Sequence, residues 1–168
     1  MTSAHPRTEM FDRIIAALDA AGAPYERFEH EHVHHSADAA RVRGTRIEEA
    51  AKAIVLECGG SGLLVMGVVA GHRRLDLKRL KTILGERDMH LADPEKVLAA
   101  TGCTIGSVPP FGNIFSPAMP VYCDAEVFSR DSLVFSAGSH HHSIRMLARD
   151  WERVVKPIVA ELGKEILP

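Results

Sequence analysis

The amino-acid sequence predicts an α+β fold, a single domain over residues 1–168 built on a mixed β-sheet. Two observations carry this expectation. A chain of 168 residues can bury one substantial core, whereas two full domains would each be cramped. Helical and strand-like patterns interleave along it without the regular βαβ repeat of a doubly wound parallel sheet. The balance of 46% hydrophobic and 25% charged residues excludes disordered and fibrous classes.

Each element has its own signal. Phe11, Ile14, Ile15 and Leu18 recur at helical spacing, so residues 8–22 are expected to form an amphipathic helix capped by Thr8 and closed by Pro24. Tyr25 to His30 alternates apolar and charged side chains, as a short edge strand does. Ser36 to Gly44 reads as a short helix ended by glycine, and Thr45-Arg-Ile-Glu48 spells a capping box that predicts another before Lys52. Ala53–Cys58 and Leu63–Ala70, split by Gly59-Gly60, predict two buried strands at the sheet centre. Leucines at 75, 77, 80 and 84 followed by Gly85 predict a helix, and Asp93-Pro94 opens one that Gly102 ends. Strands are expected at 119–123 and 133–136. A last helix is expected over 148–162, with Trp151, Val154, Val155, Ile158 and Leu162 on one side.

Composition narrows the setting. No apolar run approaches the roughly 20 residues of a membrane helix, and Met1 to Arg7 lacks the apolar stretch of a signal peptide, so a cytoplasmic protein with no membrane partner is expected. Cys58, Cys103 and Cys123 are odd in number and widely spaced, which suits three small core residues better than a disulfide framework. With 20 Lys and Arg against 22 Asp and Glu, the net charge of −2 gives no overall attraction to nucleic acid. Any RNA contact must be local, and residues 71–81 supply five cations, Arg73, Arg74, Lys78, Arg79 and Lys81. The same cations also fit the solvated face of an amphipathic helix.

Several side-chain groups could carry chemistry. In an extended segment His30, His32 and His34 would project from one face, as zinc ligands would, although a further ligand and its support would have to come from elsewhere. His140-His-His142 follows Ala137-Gly138-Ser139 and suggests a turn whose imidazoles either touch substrate or are simply exposed. No Gly-x-Ser-x-Gly elbow, phosphate loop or Cys-x-x-Cys pair occurs, so covalent catalysis is not indicated. Lys52 enters the most apolar strand, where its ammonium either snorkels to water or is aimed at an anionic or carbonyl oxygen in a cleft. Gly102 to Gly112 combines glycines that permit close approach with Pro109 and Pro110, which stiffen the loop; this is either an ordinary turn or a main-chain wall for a small polar group.

In order along the chain, these pieces resemble the YbaK/prolyl-tRNA synthetase-associated domain family of aminoacyl-tRNA editing domains. The resemblance rests on His34-His-Ser-Ala-Asp-Ala-Ala40, on Glu48-Glu-Ala-Ala-Lys52 running into a buried strand, on Gly106-Ser-Val-Pro-Pro110, and on Ala137-Gly138. Residues 71–78, Leu91-Ala-Asp-Pro-Glu95 and Thr101-Gly102 also look like the family's middle section, so the family-like core covers about 25–150. The resemblance implies a mixed, partly barrel-like sheet surrounded by helices, and hydrolysis of the ester between a wrongly attached amino acid and the terminal ribose of a tRNA. It implies a catalytic role for Lys52 and a pocket shaped by Gly106, Ser107, Val108, Pro109 and Pro110. His35, Ser36, Gly138, Ser139 and His140 are candidate substrate contacts, and Arg73, Arg74 and Lys78 candidate tRNA contacts. No metal or organic cofactor is expected. The implied partners are mischarged tRNA and an aminoacyl-tRNA synthetase, with no DNA.

The chemistry suits this expectation. An aminoacyl ester is already activated, so its hydrolysis needs positioning and charge stabilisation more than a strong protein nucleophile. Lys52 would neutralise a phosphate or developing oxyanion while the Gly106 main chain orients the substrate, and the attacking group is water, a ribose hydroxyl or the substrate side chain. Two rivals stand beside it: a non-catalytic module of the same fold that binds tRNA or a synthetase, and a histidine-dependent metallohydrolase that chelation would inactivate.

Overall fold

The apolar run that follows Lys52 forms the centre of the molecule. In the computed structural model, which describes residues 5–33 and 35–166, β2 (Ala51–Cys58) pairs antiparallel with β3 (Leu64–Ala70). They lie within a five-stranded sheet of order β5-β2-β3-β6-β9, where β5 is Met89–Leu91, β6 Val121–Asp124 and β9 Ile158–Ala160. β5 is antiparallel to β2, whereas β6 runs parallel to β3 and β9, so the sheet is mixed. A second, antiparallel sheet has the order β1-β8-β7, with β1 (Tyr25–Glu29) at its edge beside β8 (His142–Leu147) and β7 (Ser132–Ser136). A ribbon of β4 (Arg73–Leu75) and β10 (Gly163–Glu165) completes the strands. One parallel bridge, Ala50 to Val134, joins the start of β2 to β7. The sheets stay open, and this seam is what gives the strand layer its partly barrel-like form.

Pleating sends alternate residues of β2 into two cores. Ala51 and Val55 join a large cluster with Met66, Val68, Phe111, Phe135 and Trp151. Leu56 and Cys58 join a smaller one with Leu80, Met89 and Leu162, flanked by Ile54 and Leu75. Lys52 sits on the second face, at the end of that row.

The helices follow their capping chemistry. α1 (Glu9–Ala20) starts at Thr8, whose hydroxyl accepts from the Phe11 N–H at 3.1 Å, and buries Met10, Phe11, Ile14 and Leu18. α2 (Ser36–Arg43), α3 (Leu77–Leu84) and α4 (Pro94–Thr101) each end on a left-handed glycine, Gly44, Gly85 and Gly102. No helix among the described residues is long and apolar enough to cross a membrane.

Three sequence expectations are corrected. The capping box at Thr45 does not form: Arg46 precedes a single 3-10 turn, Ile47–Glu49, and the chain enters β2 at once. α3 begins at Leu77, because Leu75 is paired with Gly163 in the β4–β10 ribbon and Asp76 supplies the cap. The last helix, α5 (Ala148–Val155), stops seven residues short of the expected 162. Pro157 has no N–H to continue it, Lys156 turns left-handed at φ 54°, and the apolar residues beyond serve β9 and the second core instead.

Gly138 shows how closely α1 approaches the β7–β8 turn. Its φ is +84°, and a Cβ there would lie 2.8 Å from the Met10 side chain and 3.0 Å from the Thr8 hydroxyl. Gly138→Ala is therefore expected to cost about 1–3 kcal/mol. Thermal melting should show it as a loss of about 2–4 °C per kcal/mol; an unchanged melting temperature would mean that α1 yields without cost.

Candidate active site

β5 covers only the Leu56–Cys58 end of β2, so Ala51 to Ile54 run along a strand edge with no β partner on that side. A cleft of about 220 Å³ follows this edge to the sheet seam. Its walls are β2 from Ala51 to Ile54, the start of α2 with His35 and Ser36, Arg43 at the end of α2, the loop residues Ile105, Gly106 and Val108, and Val134 to Ser136 of β7. A second, more apolar cavity of about 250 Å³ continues from it between β2 and α4, bounded by Val55, Leu91, Ala92 and Val97, and shares Ala53, Ile54, Ile105, Gly106 and Val108 with the first.

Lys52 and Gly106 thus line one cleft. The ammonium is not free there: Lys52 Nζ donates to the Arg73 carbonyl at 2.5 Å, and burial pushes its pKa below the ordinary lysine range. Gly106 adopts φ +89°, and neither its N–H nor its C=O is taken by a hydrogen bond among the described residues. Gly106 is exposed at the cleft wall, where its N–H is an open donor and its C=O an open acceptor.

The rest of the loop supports rather than lines. Ser107, Pro109 and Pro110 are buried, and Ile105 and Val108 join Gly106 at the wall. The Ser107 hydroxyl donates to the Thr104 carbonyl at 2.8 Å, and the Ser107 carbonyl accepts from the Gly138 N–H at 3.0 Å. The Pro110 carbonyl accepts from the indole N–H of the fully buried Trp151 at 2.9 Å.

Gly138, Ser139 and His140 lie outside the cleft wall and brace it from behind. His140 Nδ1 faces the Val33 carbonyl at 2.9 Å, so it carries the proton, and Nε2 lies 3.0 Å from the Thr104 hydroxyl. Ser139 Oγ is 2.8 Å from His142 Nδ1. Gly138 and His140 are thus tied to the 104–108 loop, and Ser139 to the turn that leads into β8. His35 is exposed at the start of α2 with Ser36 behind it, and both line the cleft; His34 lies outside the described residues.

Among the described residues of 30–34 the expected extended histidine face does not form, because β1 ends at Glu29. His30 turns to Ser143, while His32 packs its ring against His140 and His141 at centroid distances of 4.6 and 5.5 Å. Among the described residues no three His, Cys, Asp or Glu side chains are grouped as metal ligands.

The basic segment divides. Arg73 is built into the fold: its Nε lies 3.2 Å from Asp124 Oδ2, its Nη2 donates to the Gly163 carbonyl at 2.8 Å, and Asp124 is only 2% exposed. Two of its three guanidinium nitrogens are thus engaged within the fold. Arg74 and Lys78 are exposed, whereas Arg79 is shared between Asp76 and Glu161. The three cysteines are buried and unpaired, and burial raises each thiol pKa, so none offers a thiolate. No hydrogen bond joins Ser36 to an imidazole among the described residues.

Sequence reasoning overlooked Arg43, Ile105 and the β7 wall. A cation in the last turn of a short helix reads as an ordinary partner for the helix dipole, and strand pairing across the seam has no local signature.

Comparisons with known proteins give matches over most of the chain. Residues 30–154 match the aminoacyl-tRNA editing domain. The Multifunctional Ser/Thr-tRNA deacylase ProXp-y of Escherichia coli K12 is 32% identical over 148 residues, which are 86% of this chain and 87% of the deacylase. The proline–tRNA ligase of Moorella thermoacetica is 41% identical over 66 residues, 39% of this chain and 11% of the ligase. A crystal structure described as a candidate trans-editing enzyme for prolyl-tRNA synthetase superposes with a TM-score of 0.83 at 24% identity, covering 95% of this chain and 99% of that one, and so shares the fold.

Proposed function

Since the chain belongs to the aminoacyl-tRNA editing domain family, we propose that it hydrolyses the ester between a wrongly attached amino acid and the terminal ribose of tRNA, acting in trans as a guardian of translation fidelity. The whole of residues 1–168 works as one editing domain. The match covers 87% of a deacylase and 11% of a ligase, which supports the deacylase reading. Serine and threonine, named in the deacylase relative, are the amino acids we assign. An aminoacyl-tRNA synthetase is a further partner, the source of the mischarged tRNA.

The observation that carries the mechanism is the open Gly106 peptide sharing one cleft with Lys52. The ester carbonyl lies against Gly106, whose N–H is fixed by a loop pinned from behind by Trp151 and His140 and costs no reorganisation when charge develops. The Lys52 ammonium leaves its single carbonyl bond for the anionic substrate, where it offsets phosphate or oxyanion charge. Among the described residues the cleft is lined by no thiol and by no serine hydrogen-bonded to an imidazole, which supports attack by water or by the substrate itself. The adjoining apolar cavity takes the terminal base or an apolar part of the aminoacyl group. Exposed Arg74 and Lys78 meet the acceptor stem.

A deacylation panel tests this reading. Hydrolysis is expected with Ser-tRNA and Thr-tRNA at rates at least about tenfold above those with Ala-, Cys- and Pro-tRNA, since a polar site discriminates through its hydrogen bonds. Failure on every member would replace the deacylase with a binding module of the same fold.

A further inference from the structure

Arg43 is a charged group of the cleft that the fold does not neutralise. It ends α2, with left-handed Gly44 turning the chain away immediately after it. Its Nε donates to the Ser143 hydroxyl at 2.9 Å. That oxygen, fully buried, also lies 2.7 Å from His30 Nε2, and His30 Nδ1 lies 2.8 Å from the Glu31 carbonyl. A carbonyl only accepts, so Nδ1 carries the proton, Nε2 accepts from the Ser143 hydroxyl, and a Ser143 lone pair remains for Arg43. Burial, and to a lesser extent the nearby Arg43 charge, hold the His30 pKa below the ordinary imidazole range, which favours the neutral ring this chain of bonds needs. The guanidinium is therefore oriented by three residues in series.

It nevertheless has no counter-ion among the described residues. Among the described residues no carboxylate lies within ion-pair distance of Arg43, and its two Nη groups make no hydrogen bond. Glu49, the carboxylate of the neighbouring 3-10 turn, is bound to Arg145 at 3.0 Å and to the Ser132 hydroxyl at 3.1 Å. Burial lowers the Arg43 pKa to about 10. A half-buried guanidinium without a counter-ion is unfavourable in the free protein, and a planar pair of Nη donors matches two oxygens of a phosphate.

From this arrangement we propose that Arg43 is the anion anchor of the cleft, binding one phosphodiester group of the RNA next to the aminoacylated ribose. The assignment rests on the deacylase reading for the identity of the RNA. It makes Arg43 a binding residue distinct in role from Lys52: its partner is an anion present throughout the reaction, so it contributes to affinity and register more than to the chemical step.

Binding of uncharged tRNA to the wild type, Arg43→Gln and Arg43→Lys over a range of salt concentrations tests it, with thermal melting of each protein alongside. Arg43→Gln should bind about tenfold more weakly at moderate salt, with the log–log salt slope smaller by about 0.7 to 1. Arg43→Lys should keep the slope and lose only part of the affinity, since a point charge replaces a two-toothed donor. A folded Arg43→Gln with an unchanged slope overturns the proposal, as does an Arg43→Lys that falls as far as Arg43→Gln. Where Arg43→Gln does not fold, Ser143→Ala replaces it: loosening the guanidinium should weaken binding about threefold at an intact slope, and unchanged affinity overturns the proposal. Wild-type protein that binds tRNA but deacylates none removes the deacylase reading and leaves Arg43 as an RNA contact. Deacylation by the wild type combined with an unaltered slope in Arg43→Gln removes Arg43 alone.

Discussion

Lys52→Ala is expected to lower kcat/KM for aminoacyl-tRNA deacylation by about 10²- to 10³-fold, or about 2.7–4 kcal/mol of transition-state stabilisation. The size follows from where the ammonium sits. Lys52 is the cation on the open edge of β2, half-buried, in the same cleft as the unpaired Gly106 peptide. Charge stabilisation by a half-buried ammonium is worth more than at the surface. The side chain is held by one bond to the Arg73 carbonyl, so its removal should cost only about 1 kcal/mol of folding stability. Activity and stability losses are thus separable in one variant. If Lys52 acts on the developing oxyanion, kcat falls; if it holds a phosphate equally in ground and transition states, KM rises and kcat stays. The depressed pKa adds a pH signature with a definite sign. The working form is the ammonium, which is lost as pH rises through a folded-state pKa below the ordinary lysine range, so the enzymatic rate corrected for buffer hydrolysis should decline earlier in alkali than an exposed lysine would allow. Full activity in Lys52→Ala would remove the residue from the mechanism.

Local chemistry made much of this arrangement readable in advance. Thr8, Gly44, Gly85, Pro94 and Gly102 sit where helices begin and end because caps and left-handed turns are decided by one or two residues. The β2–β3 hairpin is legible as two apolar runs around Gly59-Gly60. What failed was tertiary. Ile158 and Leu162 keep helical spacing with Trp151, yet Pro157 and the waiting edge of β6 turn that stretch into strand. β8 begins inside His140-His-His142, where no apolar alternation announces it, and its pairing with β1 and β7 supplies the order instead. The cleft suffers the same limit. Its wall is a strand edge that β5 is too short to cover and a seam made by a single bridge, both consequences of register. Arg73 and Arg74 look alike as adjacent cations, and only the β4–β10 pairing and the buried Asp124 tell them apart.

That division of Arg73 from Arg74 leads to the largest expected effect on stability. Asp124→Ala should destabilise the protein by about 3 kcal/mol, the lower end of the range for breaking a buried ion pair, because Arg73 keeps 24% of its side chain exposed. Asp124 has two duties. Oδ2 faces Arg73 Nε at 3.2 Å, and Oδ1 accepts from the Leu162 N–H at 2.9 Å, so the carboxylate ties β6 to β4 and to the chain entering β10. Space around it is already used: a Cβ at Gly163 would lie 2.2 Å from Asp124 Oδ2 and 2.7 Å from Arg73 Nε. Removal of the carboxylate leaves a guanidinium short of its counter-ion and a buried N–H without an acceptor. Urea denaturation should show the loss as a lower midpoint at an unchanged slope. Adding Arg73→Met to Asp124→Ala should recover part of it, since the stranded charge goes with the arginine, and the double-mutant cycle reads the coupling directly. An Asp124→Ala loss below about 1 kcal/mol, or strict additivity in the cycle, would show that the pair is not coupled. The effect reaches the site as well, because the Arg73 carbonyl that receives Lys52 belongs to the residue this ion pair holds in place. Residual activity in Asp124→Ala, measured well below its melting temperature, should therefore fall together with the positioning of Lys52 while the salt slope for tRNA is unchanged, the opposite of what an RNA-binding Arg73 would give.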